Sequence, residues 1–549
     1  MSDGREGAVT AAPLFAGGNE GSEPRWWQRG VIYQVYPRSF QDSNGDGVGD
    51  LPGILRRLEY LKWLGADAVW ISPFYPSPMR DFGYDVTDHE AVDKAFGSIV
   101  DFDAVVREAH ARGIRVILDF IPNHTSNRHP WFLESRLSRE APRRDWYIWR
   151  DAAPGGGPPN NWRSAFGGSA WEWDSHTRQY YLHTFLREQP DLNWRNPAVE
   201  RAMHHVVRFW LDRGADGLRV DAVQKVIKDH LFRDDPPNPA YVEGSDDPYD
   251  ALLHEHSSDQ PEIHDVIERM RAVVDGYGGD RVMIGEIYNE VERIVAYYGR
   301  DGRGVHFPYN FQLIKLPWDA RVIDAAIRRY ESLLPPGAWP NWVLGNHDRA
   351  RVASRVGPAQ ARVAAMLLLT LRGTPTLYYG DELGMRNVDI PPERVQDPWE
   401  KNLPGRGLGR DPVRTPMQWD GSRNAGFSDV EPWLPLSRDC SRVNVRAQER
   451  DPTSMLTLHR ALLALRRREP ALSMGDWAPV QAEESVLAFT RSHGGTRFLV
   501  ALNMGPEPAS LRVGGPGTVE LGTLPGSEGQ PVDRTLRLRG DEGVIVRLA

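Results

Sequence analysis

"GLRVDAV", residues 217–223, is the stretch on which the fold turns. Leu218 and Val220 read as a short buried strand, yet Arg219 lies inside the run and Asp221 ends it where another Val, Ile or Leu would continue. A carboxylate there either opens a loop or stands at the mouth of a barrel, where the strands of (β/α)8 folds present their functional side chains. Seven similar runs decide for the barrel. They are "VIYQVYPRSF" (31–40), "ADAVWISPFY" (66–75), "IRVILDFIPNH" (114–124), "RVMIGEIY" (281–288), "GVHFPYNF" (304–311), "NWVLGNHD" (341–348) and "TPTLYYGDEL" (374–383). Longer amphipathic stretches separate them, the alternation of repeated βα units around a parallel sheet. The fold class is therefore α/β, a (β/α)8 TIM barrel built from residues 26–124 and 197–465.

Residues 125–196 interrupt the barrel with Trp-, Gly-, Pro- and Arg-rich sequence of no clear period. Loops of that length inside a compact domain are usually functional, so they are expected to form a lid subdomain after the third strand. A second, acidic insertion near 232–260 ("RDDPPNPAYVEGSDDP") is expected to wall the same mouth. From residue 466 to 549 short alternating runs such as "SVLAFTRS" and "TRFLVALNM" predict a C-terminal antiparallel β-sandwich domain. The arginine run at 466–468 reads as a solvated helix face. Residues 1–25 lack a basic start followed by an apolar core and read as a disordered leader, not a secretory signal.

Bulk properties narrow the partners. The 549 residues are 40% hydrophobic and 26% charged with a net charge of −9, which argues against nucleic-acid or anionic-membrane surfaces. The apolar run at 363–371 is too short to span a bilayer and predicts a buried helix. One cysteine, Cys440, excludes an intramolecular disulfide and fits a cytoplasmic protein. Small neutral ligands, and a monomer or small homo-oligomer, are the expectation.

Four strand ends carry ionisable or imidazole groups: Asp119 with Asn123 and His124, Arg219 with Asp221, Glu286, and His347 with Asp348. Glycoside cleavage needs this inventory, one carboxylic acid to protonate the leaving oxygen and one carboxylate to attack or direct water at the anomeric carbon. Arg219, two residues from Asp221 on the same strand face, is expected to keep that aspartate ionised while Glu286 in a drier place retains its proton.

The ordered segments "DFIPNH", "GLRVDAV", "IGEIY" and "GNHD" resemble the four signatures of the α-amylase family, glycoside hydrolase family 13. "GVIYQVYPRSFQDSNGDGVGDL", "FGYDVTD", "GTPTLYYGDELGM" and "RTPMQWD" are similar to its α-glucosidase and oligo-1,6-glucosidase branch. The resemblance implies a retaining double displacement with Asp221 as nucleophile, Glu286 as general acid and base, and Asp348 as transition-state stabiliser. It further implies that Asp81, Tyr84, His124, Arg219, His347 and the lid aromatic Phe166 line the first sugar site, with Arg414 pairing Asp81 to close the pocket behind one glucose. Ala222 follows the nucleophile where Val tends to accompany α-1,6 specificity, and this leans the reading towards maltose-like α-1,4 substrates cleaved from the end, with transglucosylation in reserve. A trehalose synthase or a sucrose-active isomerase or hydrolase shares the same carboxylates. A non-catalytic partner subunit, like the heavy chains of amino-acid transporters, lacks the full set and carries a membrane span.

"DSNGDGVGD", residues 42–50, spaces oxygen donors at Asp42, Asn44, Asp46, the Val48 carbonyl and Asp50 like the first nine positions of a calcium loop. The twelfth position is Gly53 and not Glu, which excludes an EF-hand. Relatives imply one structural Ca2+, with Mg2+ an alternative, and no organic cofactor.

Overall fold

A computed structural model describes residues 24–549 apart from Gly279 and Glu484. The expected leader therefore falls, but for its last two residues, outside the described chain. Eight parallel strands form one sheet: β1 (Ile32–Val35), β2 (Ala68–Ile71), β3 (Arg115–Phe120), β4 (Gly217–Val220), β5 (Val282–Glu286), β6 (Phe307–Tyr309), β7 (Asn341–Val343) and β8 (Thr374–Tyr378). Ladders run in the order β7-β8-β1-β2-β3-β4-β5-β6, and β6 lies against β7 at the seam. Each run named from sequence contains one of these strands.

The strands are mostly apolar and, except for Arg115, buried, because helices cover them outside and side chains fill the lumen. Helix starts follow local chemistry. Asp50 caps Leu51–Leu64 by accepting the Gly53 N–H at 2.6 Å, and Gly65 ends that helix at φ +108°, a conformation that costs glycine little. Asn196 and Pro197 open Pro197–Asp212, which returns the chain from the lid to β4. The apolar run at 363–371 lies in the buried helix Val352–Thr370 and the residue that follows it. Among the described residues no helix is long and apolar enough to cross a membrane.

The insertion after β3 carries a three-stranded antiparallel sheet, Trp149–Arg150, Trp171–Asp174 and Gln179–Leu182, over its own small core of Ile148, Trp162, Ala170, Trp171 and Leu182. An antiparallel bridge between His124 and Asp191 joins its two ends at the barrel rim. The acidic insertion docks on it: Asp234 accepts the Asn161 N–H at 2.9 Å and the Arg233 carbonyl accepts Trp162 Nε1 at 2.9 Å.

The C-terminal strands run from Asp476 to Leu548 as a six-stranded and a two-stranded antiparallel sheet. Val486, Leu499 and Val546 of the larger sheet share an apolar layer with Leu511, Leu536 and Leu538 of the smaller, which makes a sandwich. Residues 466–468 and 470–473 are still helical. There the reading of the arginine run needs correction, because Arg466 is buried at 1% exposure and donates to the carbonyls of Leu369, Gly373 and Leu472. Those carbonyls close helix and loop ends that otherwise lack donors. Arg467 and Arg468 do face solvent, paired with Asp67 and Glu520.

Candidate active site

The C-terminal ends of the strands bring Asp221, Glu286, Asp348, Arg219, His347, His124 and Tyr84 to one rim. Arg219 projects into the lumen from β4 and is 1% exposed. Its Nη1 donates to Asp221 Oδ1 at 2.8 Å and Asp119 Oδ1 at 2.5 Å, while Nη2 contacts Glu286 Oε1 at 2.5 Å. One planar fork thus holds two candidate catalytic carboxyls side by side. The chain turns sharply after Asp221: Ala222 is left-handed at φ +43°, ψ +44°, and its N–H donates to Glu286 Oε2 at 3.0 Å.

The expected division of charge between the two acids is not what Arg219 produces, since it bonds both. Burial pushes the Asp221 carboxyl well up, Arg219 pulls against that, and Glu286, Asp119 and Asp348 add to the upward push. Asp119 is raised to about 6 by burial against the pull of Arg219, and also accepts from Trp70 Nε1 at 3.0 Å and Tyr84 OH at 3.2 Å. Asp348 behaves in the opposite way. Burial opposes its ionisation, but His347 and the guanidiniums of Arg410 and Arg414 hold it far below the carboxylate range. Burial keeps His347 itself neutral, so the two arginines carry that pull.

Asp81 corrects one expectation. Its partner is Arg410, with Nη2 on Asp81 Oδ1 at 2.7 Å, and not Arg414. Arg414 instead donates Nη2 to Asp348 Oδ1 at 2.8 Å and Nε to the His347 carbonyl at 2.8 Å. Arg410 also grips Asp397 at 2.7 Å and reaches Asp348 at 3.4 Å. The sequence offers two arginines four residues apart around the short turn Asp411–Val413, and only the fold tells them apart.

Other expected residues gather at the same place. Tyr84 stacks on His347 with centroids 5.5 Å apart, and its hydroxyl lies 2.8 Å from His347 Nε2. Gln189 Nε2 lies 3.1 Å from both Asp81 Oδ2 and His124 Nε2, so it links the lid to the rim. Phe166 is buried with the Arg410 guanidinium 5.0 Å above its ring. Gln189, Arg410 and Asp397 were not singled out from sequence, because each lies in irregular chain without a motif of its own. Tyr288, stacked on Phe311 at 4.3 Å beneath Arg349, lies close enough to Glu286 and Asp348 to feel both charges.

Loop 42–50 follows the C-terminal end of β1. Asp42 accepts the N–H groups of Asn44, Gly45 and Gly47 and the Ser428 hydroxyl, Asn44 Oδ1 and Asp46 Oδ1 accept N–H groups two residues on, and Asp50 caps its helix. Among the described residues no three His, Cys, Asp or Glu side chains converge as a metal-binding group. A cation here would depend on the Asn44 amide and Val48 carbonyl as well as on carboxylates, a donor set that suits a hard ion. Gly47, at φ +86°, presses on the segment near Glu431, whose carbonyl a Cβ would meet at 2.5 Å.

Comparison with known proteins agrees with this geometry. Residues 34–475 match the family model described as "Alpha amylase, catalytic domain". A probable alpha-glucosidase of Rhizobium meliloti (strain 1021) is 43% identical over 88% of this chain and 90% of that protein. An oligo-1,6-glucosidase of Heyndrickxia coagulans is 38% identical over 88% and 93%. Among solved structures, an alpha-glucosyl transfer enzyme is 42% identical with a TM-score of 0.91, and a trehalulose synthase from Pseudomonas mesoacidophila MX-45 is 34% identical with a TM-score of 0.88, each over 96% of this chain and 100% of the other. With a barrel of eight strands, an acid-lined rim and a family match over most of its length, the chain belongs to the α-amylase catalytic-domain family of glycoside hydrolases.

Proposed function

We propose that the protein is a retaining α-glucosidase that removes terminal glucose from short α-linked oligosaccharides, α-1,4 linkages before α-1,6. The observation that carries this reading is the Arg219 fork. With Asp221 and Glu286 on its two terminal nitrogens, at 2.8 and 2.5 Å, one guanidinium holds the two carboxyls side by side, an arrangement that suits direct nucleophilic attack better than a water held between two distant acids. Asp221 attacks the anomeric carbon, Glu286 passes its proton to the leaving oxygen, and the glucosyl ester then meets water activated by the same Glu286. Asp348, held anionic by Arg410 and Arg414, is suited to the sugar hydroxyls and to the charge that grows as the ring flattens. The Asp81–Arg410–Asp397 cluster closes the pocket behind one ring, which favours exo action.

Poor access of water to the ester would permit transfer to a second sugar. The relatives include glucosidases and the structures of an alpha-glucosyl transfer enzyme and a trehalulose synthase, so a linkage panel (maltose, isomaltose, nigerose, kojibiose, sucrose, trehalose) with stereochemical product analysis is the deciding experiment. Glucose released first as the α-anomer from maltose is expected. Trehalose or an isomerised disaccharide as the main product would replace this reading with an intramolecular transferase.

The same reading includes a structural Ca2+ or Mg2+ on Asp42, Asn44, Asp46, the Val48 carbonyl and Asp50, outside the reaction. A chelator is then expected to lower the unfolding temperature while leaving kcat of the folded enzyme unchanged. A reducing cytoplasm fits a chain whose single Cys440 cannot form an internal disulfide.

A further inference from the structure

A cavity of about 370 Å3 lies away from the glucose site, between the lid sheet and the chain that follows β4. Its lining carries four arginines and Lys228 against a single carboxylate, Asp145. Three of those cations are already compensated: Arg139 pairs with Asp151 at 3.0 Å, Arg195 with Glu262 at 2.9 Å and Lys228 with Asp191 at 2.7 Å. Arg144 and Arg150 are not. Among the described residues neither has a carboxylate within ion-pair distance; Arg144 bonds the Ser135 carbonyl, Thr177 and Gln179, and Arg150 the Trp149 carbonyl.

Both guanidiniums are laid on aromatic faces, Arg144 at 3.5 Å over Trp149 and Arg150 at 3.8 Å over Phe232. Arg144 Nε is buried without a partner. Phe232 holds a left-handed backbone at φ +55°, a strain that a non-glycine residue carries only where its surroundings impose it. Burial pushes Arg144 down to about 10 and lowers Arg150 too. Arg144 is half-buried and Arg150 exposed, neither has an ion-pair partner among the described residues, and an anion with several oxygens would give both of them charge-assisted contacts.

We propose that this cavity binds an oxyanion, a phosphate group either free or on a small polyol or sugar, with Arg144 and Arg150 as its ligands. The volume exceeds what a lone phosphate fills and lies near the lower end of small-molecule pockets. Tyr147, Trp149 and Phe232 contribute the apolar part of the lining.

The test is calorimetric titration of the full chain at low ionic strength with inorganic phosphate and with glycerol phosphate, glycerol serving as the neutral control. Saturable one-to-one binding of phosphate oxyanions is expected, weakened about tenfold by Arg150→Gln, the loss of one charge-assisted contact. Hydrolysis of an aryl α-glucoside by that variant should be unchanged, which also shows it to be folded, and Arg150→Lys, which keeps the charge but loses the fork, should fall between. Tighter binding of the ester assigns the site to phosphate monoesters, and equal binding assigns it to free phosphate. Absence of saturable heat with either anion overturns the proposal. So does binding that competes with the glucoside and is indifferent to Arg150→Gln, since that places the anion on the arginines of the glucose pocket.

Discussion

Ala222→Val tests the link between the turn after the nucleophile and linkage preference. Ala222 is left-handed at φ +43°, where a second γ-carbon crowds the backbone; a left-handed residue costs roughly 1–2 kcal/mol, and a β-branched one lies at the upper end. Valine is therefore expected to destabilise the protein by about 1 kcal/mol relative to alanine, read from the shift of a denaturant midpoint. Glycine, which adopts this conformation freely, should stay within about 1 kcal/mol of the parent. The functional effect is larger. Two added methyl groups at 6% exposure, beside the N–H that holds Glu286 Oε2, reshape the floor under the leaving sugar. Pocket changes of that size are worth roughly tenfold or more in discrimination. The assay is the ratio of kcat/KM for isomaltose to that for maltose, expected to rise about tenfold in Ala222→Val and not in Ala222→Gly. A folded valine variant with an unchanged ratio would refute the idea that this side chain sets linkage.

Three further outcomes follow from the same geometry. Asp221→Asn should reduce turnover by about four orders of magnitude or more with the fold intact, while Glu286→Gln should cost maltose about 10²–10⁴-fold and an activated aryl glucoside far less in the first step; equal losses on both substrates would remove Glu286 as the acid. Arg410→Met leaves Asp81 and Asp397 buried without their partner and should destabilise by about 3–5 kcal/mol, measured by denaturant unfolding, more than Arg414→Met, which strips one contact from the less buried Asp348. Burial lowers His89 to about 3, His124 to about 4 and His129 to about 2, so the folded state refuses protons that the unfolded chain accepts below about 6.5. Their contribution to stability is complete above pH 6.5 and is lost as pH falls towards 4. His129→Asn, which keeps an acceptor for the Trp131 N–H, should flatten that decline, and a denaturant midpoint constant from pH 7.5 to 5 would contradict it.

The strands were legible because a parallel barrel buries both faces of each one, which leaves an apolar run broken only where a polar group is needed. Thus Arg219 and Asp221 stood out in "GLRVDAV", as did Glu286 at the end of "VMIGE". The lid residues were harder. Gln189 and Asp397 lie in irregular chain, and their roles arise from contacts with Asp81 and Arg410 more than a hundred residues away in one case and more than ten in the other. Arg410 and Arg414 have the same chemistry, so sequence could name a partner for Asp81 only by proximity to a motif. Arg466 failed for a related reason: a run of three arginines has no period, and the one turned inward is chosen by carbonyls of another helix.

Charge balance around the pocket places a further constraint on the mechanism. Asp81, Asp119, Asp221, Glu286, Asp348 and Asp397 are in contact with three guanidiniums, those of Arg219, Arg410 and Arg414, and burial leaves His124 and His347 neutral. Burial raises Asp119 and Asp221 at the Arg219 end, whereas Arg410 and Arg414 hold Asp348 and Asp397 low. Asp221 and Glu286 share one guanidinium, and the Glu286 charge is among those that raise the Asp221 carboxyl. Asp119 is another of those charges. Replacing it by Asn removes a negative charge that raises Asp221 and frees Arg219 to serve Asp221 more fully, and both effects favour the ionised nucleophile. The acid limb of the kcat/KM profile is therefore expected to move to lower pH in Asp119→Asn; a limb that stays in place or moves up would show that Asp221 titrates independently of the charge beneath it.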